Sequence, residues 1–167
     1  GIAAAEGVGL DPIKINAVVQ KGVNDHTIVD LARHFKGTGQ IVRFIEFMDV
    51  GTVNSWDAES VVTADQIANA INAEFPITRA APSYPGEVAT RWTYDDGSGE
   101  VGIISSVSEP FCGDCTRARL STEGLLVTCL FAAGGKDLKG PMRSGASDTE
   151  LLELMTGIWS SRKDRYS

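Results

Sequence analysis

In the first third of the chain, the spacing of apolar and polar residues is typical of strands in two segments and of a helix in the segment between them. Segments 13–20 and 41–47 are rich in β-branched and apolar residues and predict two strands. Between them, apolar residues recur with the 3.6-residue period of a helix, which Asn24 or Asp25 is expected to cap and Gly37 to end. Strand, helix and strand with short connections predict a βαβ unit with parallel strands, whose sites lie at the strands' carboxyl ends.

Other helices and two hairpins follow from local signals. Residues 1–9 favour a helix but offer no N-cap, whereas 63–66 and 147–150 each fit a capping box that opens a helix. Turn residues at 95–99 and 122–124 separate apolar runs and predict two hairpins, the second joining 116–121 to 125–130. The pattern predicts a parallel α/β layer extended by antiparallel hairpins.

The length, charge and hydrophobicity of the chain limit the kinds of molecule that it is expected to bind. A chain of 167 residues can bury one sizeable core, so one domain is expected. The net charge is -7 and the basic residues are scattered, which opposes binding to nucleic acid or to an anionic membrane. No apolar run approaches the roughly 20 residues of a membrane span, and no signal segment opens the chain. We therefore expect a cytoplasmic protein whose anionic ligands bind in a local basic pocket.

The clearest chemical signal is a group of three cysteines. Cys112 and Cys115 form a C-x2-C pair, and a hairpin can return Cys129 to it. Three is an odd and low number for a disulfide-stapled domain, which favours metal or cluster chemistry. A closed zinc site needs four ligands, and the two histidines, His26 and His34, are far away in the sequence.

An iron–sulfur cluster is normally held by four thiolates, so three cysteines would leave one iron open to water, a partner residue or a substrate atom. The other interpretation is that these thiols are buried or incidental. In an extended segment, Cys115, Arg117 and Arg119 share one face. A three-residue turn at 122–124, with its glycine left-handed, would place Cys129 opposite Arg117 on that face, whereas a two-residue turn would point it away.

Four basic residues are candidates for ligand binding. Arginine is a planar bidentate donor suited to phosphate or to a guanine ring, so Arg117 and Arg119 predict an anionic or nucleobase ligand. Solvated pairs with nearby carboxylates are equally open for both. Lys14 and Arg43 are charges inside apolar strands, which costs free energy unless each meets a partner or a ligand. A binding role and an edge-strand position are both open for these two.

Residues 111–131 carry the cysteine motif and resemble the C-terminal cluster motif of the GTP 3',8-cyclase family of radical SAM enzymes, the molybdenum cofactor biosynthesis protein A family. Flanking segments are similar to that family in the same order, and the resemblance covers essentially the whole chain. These segments are 14–16, 22–25, 42–51, 85–89, 143–145 and 162–167.

The resemblance implies the C-terminal part of an incomplete TIM-type barrel with added antiparallel hairpins and a C-terminal helix. Residues 1–80 would form a partial barrel segment and 81–167 the hairpins, the iron–sulfur and GTP-binding motif and the terminal helix, in one compact unit. A [4Fe–4S] cluster with an open iron would hold the guanine of GTP. The implied roles are cluster ligands for Cys112, Cys115 and Cys129, nucleotide contacts for Arg117 and Arg119, and positions near the triphosphate for Lys14 and Arg43.

Two features of the family are absent from these residues: the C-x3-C-x2-C motif of the second [4Fe–4S] cluster, which cleaves S-adenosylmethionine, and the double-glycine tail. The chain is therefore expected to be a fragment that is inactive alone and holds no catalytic residue. The full-length enzyme is expected to be a homodimer, with cyclic pyranopterin monophosphate synthase as its pathway neighbour. The alternatives are a non-catalytic zinc module and a folding unit with inert thiols.

Overall fold

The computed structural model describes residues 1–49, 56–110, 112–132 and 134–163, apart from the side chain of Asp114. Contacts between Cα atoms divide the chain into two compact units, Gly1–Phe111 and Cys112–Ser167. Parts of the segments that carry the family resemblance, at 50–51, 111 and 164–167, lie outside the described residues. No helix among the described residues is long and apolar enough to cross a membrane.

The first unit contains one mixed five-stranded sheet in the order β1-β2-β5-β4-β3. β1, β2 and β5 are parallel, and β4 pairs antiparallel with both β5 and β3. The predicted βαβ unit is confirmed as β1, α2 and β2, and the predicted hairpin as β4 and β5. The elements are α1 (Ile2–Gly7), β1 (Lys14–Val19), α2 (Ile28–Phe35), β2 (Ile41–Glu46), α3 (Ala64–Glu74), β3 (Ile77–Arg79), β4 (Thr90–Tyr94) and β5 (Glu100–Ile104).

The two faces of this sheet differ in character. Helices α2 and α3 pack against each other and against the sheet, and the core they close includes Phe44, Ile67, Ile71 and Ile103, each at most 1% exposed. Because successive strand residues point to opposite faces, the residues between the core positions of β1 and β2 lie on the other face. Lys14, Asn16 and Arg43 are among them.

The helix caps follow the sequence in one case and depart from it in another. α3 begins with the predicted capping box, in which Thr63 and Gln66 exchange side-chain and backbone hydrogen bonds. The prediction that Asn24 or Asp25 caps α2 is wrong, because α2 begins at Ile28 after a 3-10 turn. Asn24 instead accepts a hydrogen bond from the Gln20 amide at 2.8 Å, closing the preceding turn, as asparagine side chains readily do.

The second unit contains a small antiparallel sheet in the order β6-β7-β8. The predicted hairpin is confirmed as β6 and β7, although its strands are shorter than predicted, and the predicted capping box of Ser147 and Glu150 opens the last helix. The sequence patterns did not indicate β8 or α4. The elements are β6 (Arg119–Leu120), β7 (Leu125–Val127), β8 (Lys136–Asp137), α4 (Lys139–Arg143) and α5 (Asp148–Ser160).

The α/β class is thus confirmed as a mixed sheet with helices and antiparallel hairpins. Among the described residues the five strands of the first unit form an open sheet and do not close into a barrel. The barrel origin of this sheet therefore stays a prediction.

Candidate cluster and anion-binding sites

The cysteine pair lies on a single 3-10 turn, Cys112–Asp114, at the start of the second unit. The amide of Cys115 donates to the carbonyl oxygen of Cys112 at 3.4 Å, so the two residues are held one turn apart. Cys112, Cys115 and Cys129 are all free thiols of intermediate burial. The turn therefore keeps two partly exposed cysteines close together along the backbone.

Two arginines hold Cys115. Arg117 donates through Nη2 to the Cys115 Sγ at 3.3 Å, and Arg162 donates through Nη2 to the Cys115 carbonyl oxygen at 2.6 Å. Burial raises the pKa of the Cys115 thiol, but the hydrogen bonds from Arg117 and the positive charges of both arginines outweigh it, so the net pKa lies below its usual value. This thiol is the one best prepared to act as a thiolate ligand.

The position of Arg162 is itself fixed by α5. Its guanidinium group lies 3.8 Å from the centroid of the Trp159 ring, a cation–π arrangement one turn away along the end of the helix. Trp159, Arg162 and Cys115 form a chain of contacts from the last helix to the cysteine turn. Sequence reasoning missed this role of Arg162, because its partner is 47 residues away.

The β6–β7 register shows the length of the turn between the two strands. Gly124 has a φ of +82°, and Arg119 pairs with Val127. The predicted three-residue turn is therefore confirmed, and the two-residue alternative is wrong. The ladder ends at the pair of Arg119 and Val127, so a shared face for Arg117 and Cys129 stays a prediction.

The thiol donors fit the chemistry of an iron–sulfur cluster, because free and partly exposed thiols, one with a lowered pKa, are soft ligands that iron accepts. The described residues contain no group of three or more His, Cys, Asp or Glu side chains arranged to hold a metal ion. The structure thus joins Cys112 and Cys115 but does not gather Cys129 with them into a ligand set. Their convergence stays a prediction.

The remaining predicted residues occupy different places. Arg119 is exposed on β6 in the second unit. Lys14 is the first residue of the edge strand β1, and Arg43 lies in the middle of β2, within the first unit. These two basic residues lie on the sheet face and not beyond the strands' carboxyl ends, where the βαβ pattern had placed a site. Arg43 donates through Nε to Asn16 Oδ1 at 2.8 Å.

A carboxylate that sequence reasoning missed lies at the carboxyl end of β2. Glu46 has no exposed surface. Its Oε1 accepts from the Ala64 amide (2.6 Å) and the Ser108 hydroxyl (2.5 Å), and its Oε2 from the amides of Val107 (2.7 Å) and Ser108 (2.8 Å). Glu46 therefore anchors both the start of α3 and the segment that follows β5.

Comparison with known proteins identifies the family of this chain. The family model described as Molybdenum Cofactor Synthesis C matches residues 40–167. A protein of Xanthomonas axonopodis pv. citri is 52% identical over 167 residues, covering 100% of this chain and 49% of the relative. One from Acidothermus cellulolyticus is 51% identical over 171 residues, covering 100% and 47%. One from Staphylococcus saprophyticus is 47% identical over 156 residues, covering 93% and 46%.

All three relatives are named GTP 3',8-cyclase, which confirms the family resemblance. This chain spans about half the length of the curated relatives it matches. Because the family match extends over most of the residues, the chain belongs to the Molybdenum Cofactor Synthesis C family.

Proposed function

We propose that this chain is the substrate-binding and cluster-binding part of a GTP 3',8-cyclase. That enzyme converts GTP to (8S)-3',8-cyclo-7,8-dihydroguanosine 5'-triphosphate in molybdenum cofactor biosynthesis. The three cysteines would hold a [4Fe–4S] cluster, which when bound supplies an open iron for the guanine of GTP. The protein's own contribution is to bind and orient the nucleotide.

The observation that carries this proposal is the hydrogen bond from Arg117 to the Cys115 thiol, in a C-x2-C turn whose two thiols are free and partly exposed. A basic side chain is thereby in contact with one cysteine of the motif. Arginine donors suit the acceptor atoms of a guanine ring or a phosphate. Arg117 and Arg119 would therefore contact the nucleotide, and Lys14 and Arg43 would neutralise its triphosphate.

The proposal extends to the full-length enzyme of which this chain would be a part. Residues 1–80 would be part of an incomplete TIM-type barrel, and 81–167 would carry the cluster and GTP motif. The complete reaction joins ribose C3' to guanine C8 and uses S-adenosylmethionine with a second [4Fe–4S] cluster, neither of which is proposed to bind these residues. The isolated chain would be inactive. The full enzyme would be a cytoplasmic homodimer that precedes cyclic pyranopterin monophosphate synthase.

Anaerobic reconstitution with iron and sulfide tests the cluster. The wild-type chain is expected to bind about four irons and to show a brown iron–sulfur spectrum that GTP perturbs. Cys112→Ser, Cys115→Ser and Cys129→Ser are each expected to lose most of the iron. A colourless chain with stoichiometric zinc would support the zinc module instead. Metal content that is unchanged in all three variants would support inert thiols.

Binding of GTP to the reconstituted chain tests the arginines. Arg117→Ala and Arg119→Ala are each expected to weaken binding by about tenfold or more, because a hydrogen bond to a charged group contributes about 1.5–3 kcal/mol. Arg79→Ala, which removes an exposed arginine from β3, is the control for the change in net charge. Equal GTP affinity in all three variants would contradict the nucleotide role of Arg117 and Arg119.

A further inference from the structure

The sheet face opposite the helices carries a compact polar group in the first unit. Asn16 and Arg43 are register partners on the parallel strands β1 and β2. Lys14 precedes Asn16 by two residues and therefore points to the same face. We call Lys14, Asn16 and Arg43 the β1–β2 polar cluster.

Two neighbours hold the side chain of Arg43 in place. Its Nε donates to Asn16 Oδ1 at 2.8 Å. On the other side, a Cβ atom built on Gly102 would lie 3.0 Å from Arg43 Cγ, so the glycine leaves the space that the arginine stem occupies. The terminal nitrogens of Arg43 have no hydrogen-bond partner within the described part of the chain. The guanidinium is thus oriented by protein and still able to bind a ligand.

Another arginine on the same face of the sheet has a carboxylate partner within the protein. Arg91 pairs with Gly102 from β4, and its Nε lies 3.1 and 3.2 Å from the two carboxylate oxygens of Glu100. Arg91 is therefore neutralised locally. Lys14 and Arg43, in contrast, form no ion pair with any described carboxylate. Two positive charges remain for an external anion.

The amide group of Asn16 has a defined orientation. Because Arg43 Nε–H can only donate, the oxygen of Asn16 must face it, and the Asn16 NH2 group remains a donor. This NH2 group has no partner within the described residues. The cluster thus offers an ammonium group, a guanidinium group and an amide donor, and every one of these groups is suited to phosphate oxygens.

We infer that Asn16 is a third binding residue for the polyphosphate of the nucleotide, in addition to orienting Arg43. This inference rests on the proposed function, in which Lys14 and Arg43 bind the triphosphate. It predicts that Asn16 acts through its NH2 group and not only as a tie between two strands. The two roles separate in Asn16→Asp, which keeps the acceptor for Arg43 but replaces the donor by a negative charge.

The test is binding of inorganic tripolyphosphate and of GTP to the full 167-residue chain, measured by calorimetry at low ionic strength. Asn16→Ala is expected to weaken tripolyphosphate binding about tenfold, the loss of one hydrogen bond to a charged group. Asn16→Asp is expected to weaken it further, because the new carboxylate neutralises Arg43 and repels the anion. Asn69→Asp, on the exposed surface of α3, is the matched control for charge and should bind as the wild type does.

The outcomes separate this inference from the proposed function. If Lys14→Ala and Arg43→Ala lose affinity while Asn16→Asp binds like Asn69→Asp, Asn16 is only a strand tie and the inference is overturned. If the wild type binds no tripolyphosphate, or if no variant differs from it, the triphosphate role of Lys14 and Arg43 fails as well. Circular dichroism of each variant confirms that the sheet is folded, so that a loss of affinity reports on the cluster.

Discussion

Replacing the side chain of Glu46 by a methyl group, in Glu46→Ala, removes a buried carboxylate and leaves three backbone amides and one hydroxyl without their acceptor. The amides belong to Ala64, Val107 and Ser108, and the hydroxyl to Ser108. These groups join the end of β2 to the start of α3 and to the segment after β5. The substitution therefore tests a support of the core of the first unit.

The magnitude follows from the four hydrogen bonds. A hydrogen bond to a charged group contributes about 1.5–3 kcal/mol, and a buried donor left without an acceptor costs about 1–3 kcal/mol. The four contributions are not additive, because water can enter the space left by the side chain. We therefore expect Glu46→Ala to lower the free energy of unfolding by about 3–5 kcal/mol, as when one partner of a buried charged group is removed.

Glu46→Gln sharpens the test because it changes little in shape. Each carboxylate oxygen of Glu46 accepts two donors, so either orientation of the glutamine amide points an NH2 group at two other donors. We expect a loss of about 2 kcal/mol or more. A glutamate that only filled space would be replaced by glutamine at almost no cost.

Urea unfolding measures the loss through the midpoint at constant slope, and hydrogen exchange of the Val107 and Ser108 amides localises it. The matched control is Glu74→Gln on the surface of α3, where the carboxylate pairs with the exposed Arg33. If Glu46→Gln and Glu74→Gln have the same midpoint, and the two amides keep their protection, the reasoning from the buried hydrogen bonds is refuted.

Three further results are expected. Gly124→Ala should destabilise the β6–β7 hairpin by about 1–2 kcal/mol in thermal unfolding followed by tryptophan fluorescence, since its φ is +82° and the new Cβ would lie 2.5 Å from Lys139 Cβ. Arg117→Ala should raise the pKa of the Cys115 thiol and slow its alkylation at neutral pH, because burial raises that pKa and Arg117 lowers it. The hydrogen bond from Lys36 lowers the pKa of Asp96 from 3.8 to about 2. Asp96 should therefore stabilise the fold above pH 4 and lose this effect as the pH falls toward 2, whereas the Asp96→Asn variant should lack this pH-dependent stabilisation.

Controls make these results specific. Gly157→Ala, in α5 with no neighbour near the new Cβ and no positive φ, should not destabilise the same unit. Arg119→Ala removes a nearby exposed arginine and should leave the alkylation of Cys115 unchanged. A hairpin unaffected by Gly124→Ala, an alkylation rate equally changed by both arginine variants, or equal acid stability of Asp96→Asn and the wild type would each contradict the corresponding prediction.

The sequence predicted those elements whose signals are local. The capping boxes that open α3 and α5 each involve residues three positions apart, so the pattern and the structure depend on the same short segment. Asn24 was misjudged because its side chain can cap a helix or close a turn, and the choice depends on the backbone before it. β8 and α4 have two and five residues, too short to display a period.

In the candidate cysteine site, the turn of the β6–β7 hairpin could be predicted from the sequence. The left-handed Gly124 fits a three-residue turn, which the pairing of Arg119 with Val127 confirms, but the ladder ends at that pair and does not reach Arg117 or Cys129. The contact of Arg162 with the Cys115 carbonyl has no such signal, because α5 reaches the cysteine turn through packing of residues distant in sequence. The turn was therefore predictable, whereas only the tertiary structure identifies Arg162 as a residue that holds Cys115.

Strand parity distinguishes two kinds of charged residue in β2 and could have identified Glu46. Arg43 lies on the face opposite the helices, whereas Glu46 shares the parity of Val42 and Phe44, which are buried beneath α2 and α3. A charged side chain on the face opposite the helices can remain without a protein partner until a ligand binds. A carboxylate on the core face is buried and needs hydrogen-bond donors from the protein itself. The same strand therefore carries a candidate ligand-binding residue, Arg43, and a structural anchor, Glu46. The alternation of faces along the strand distinguishes the two roles.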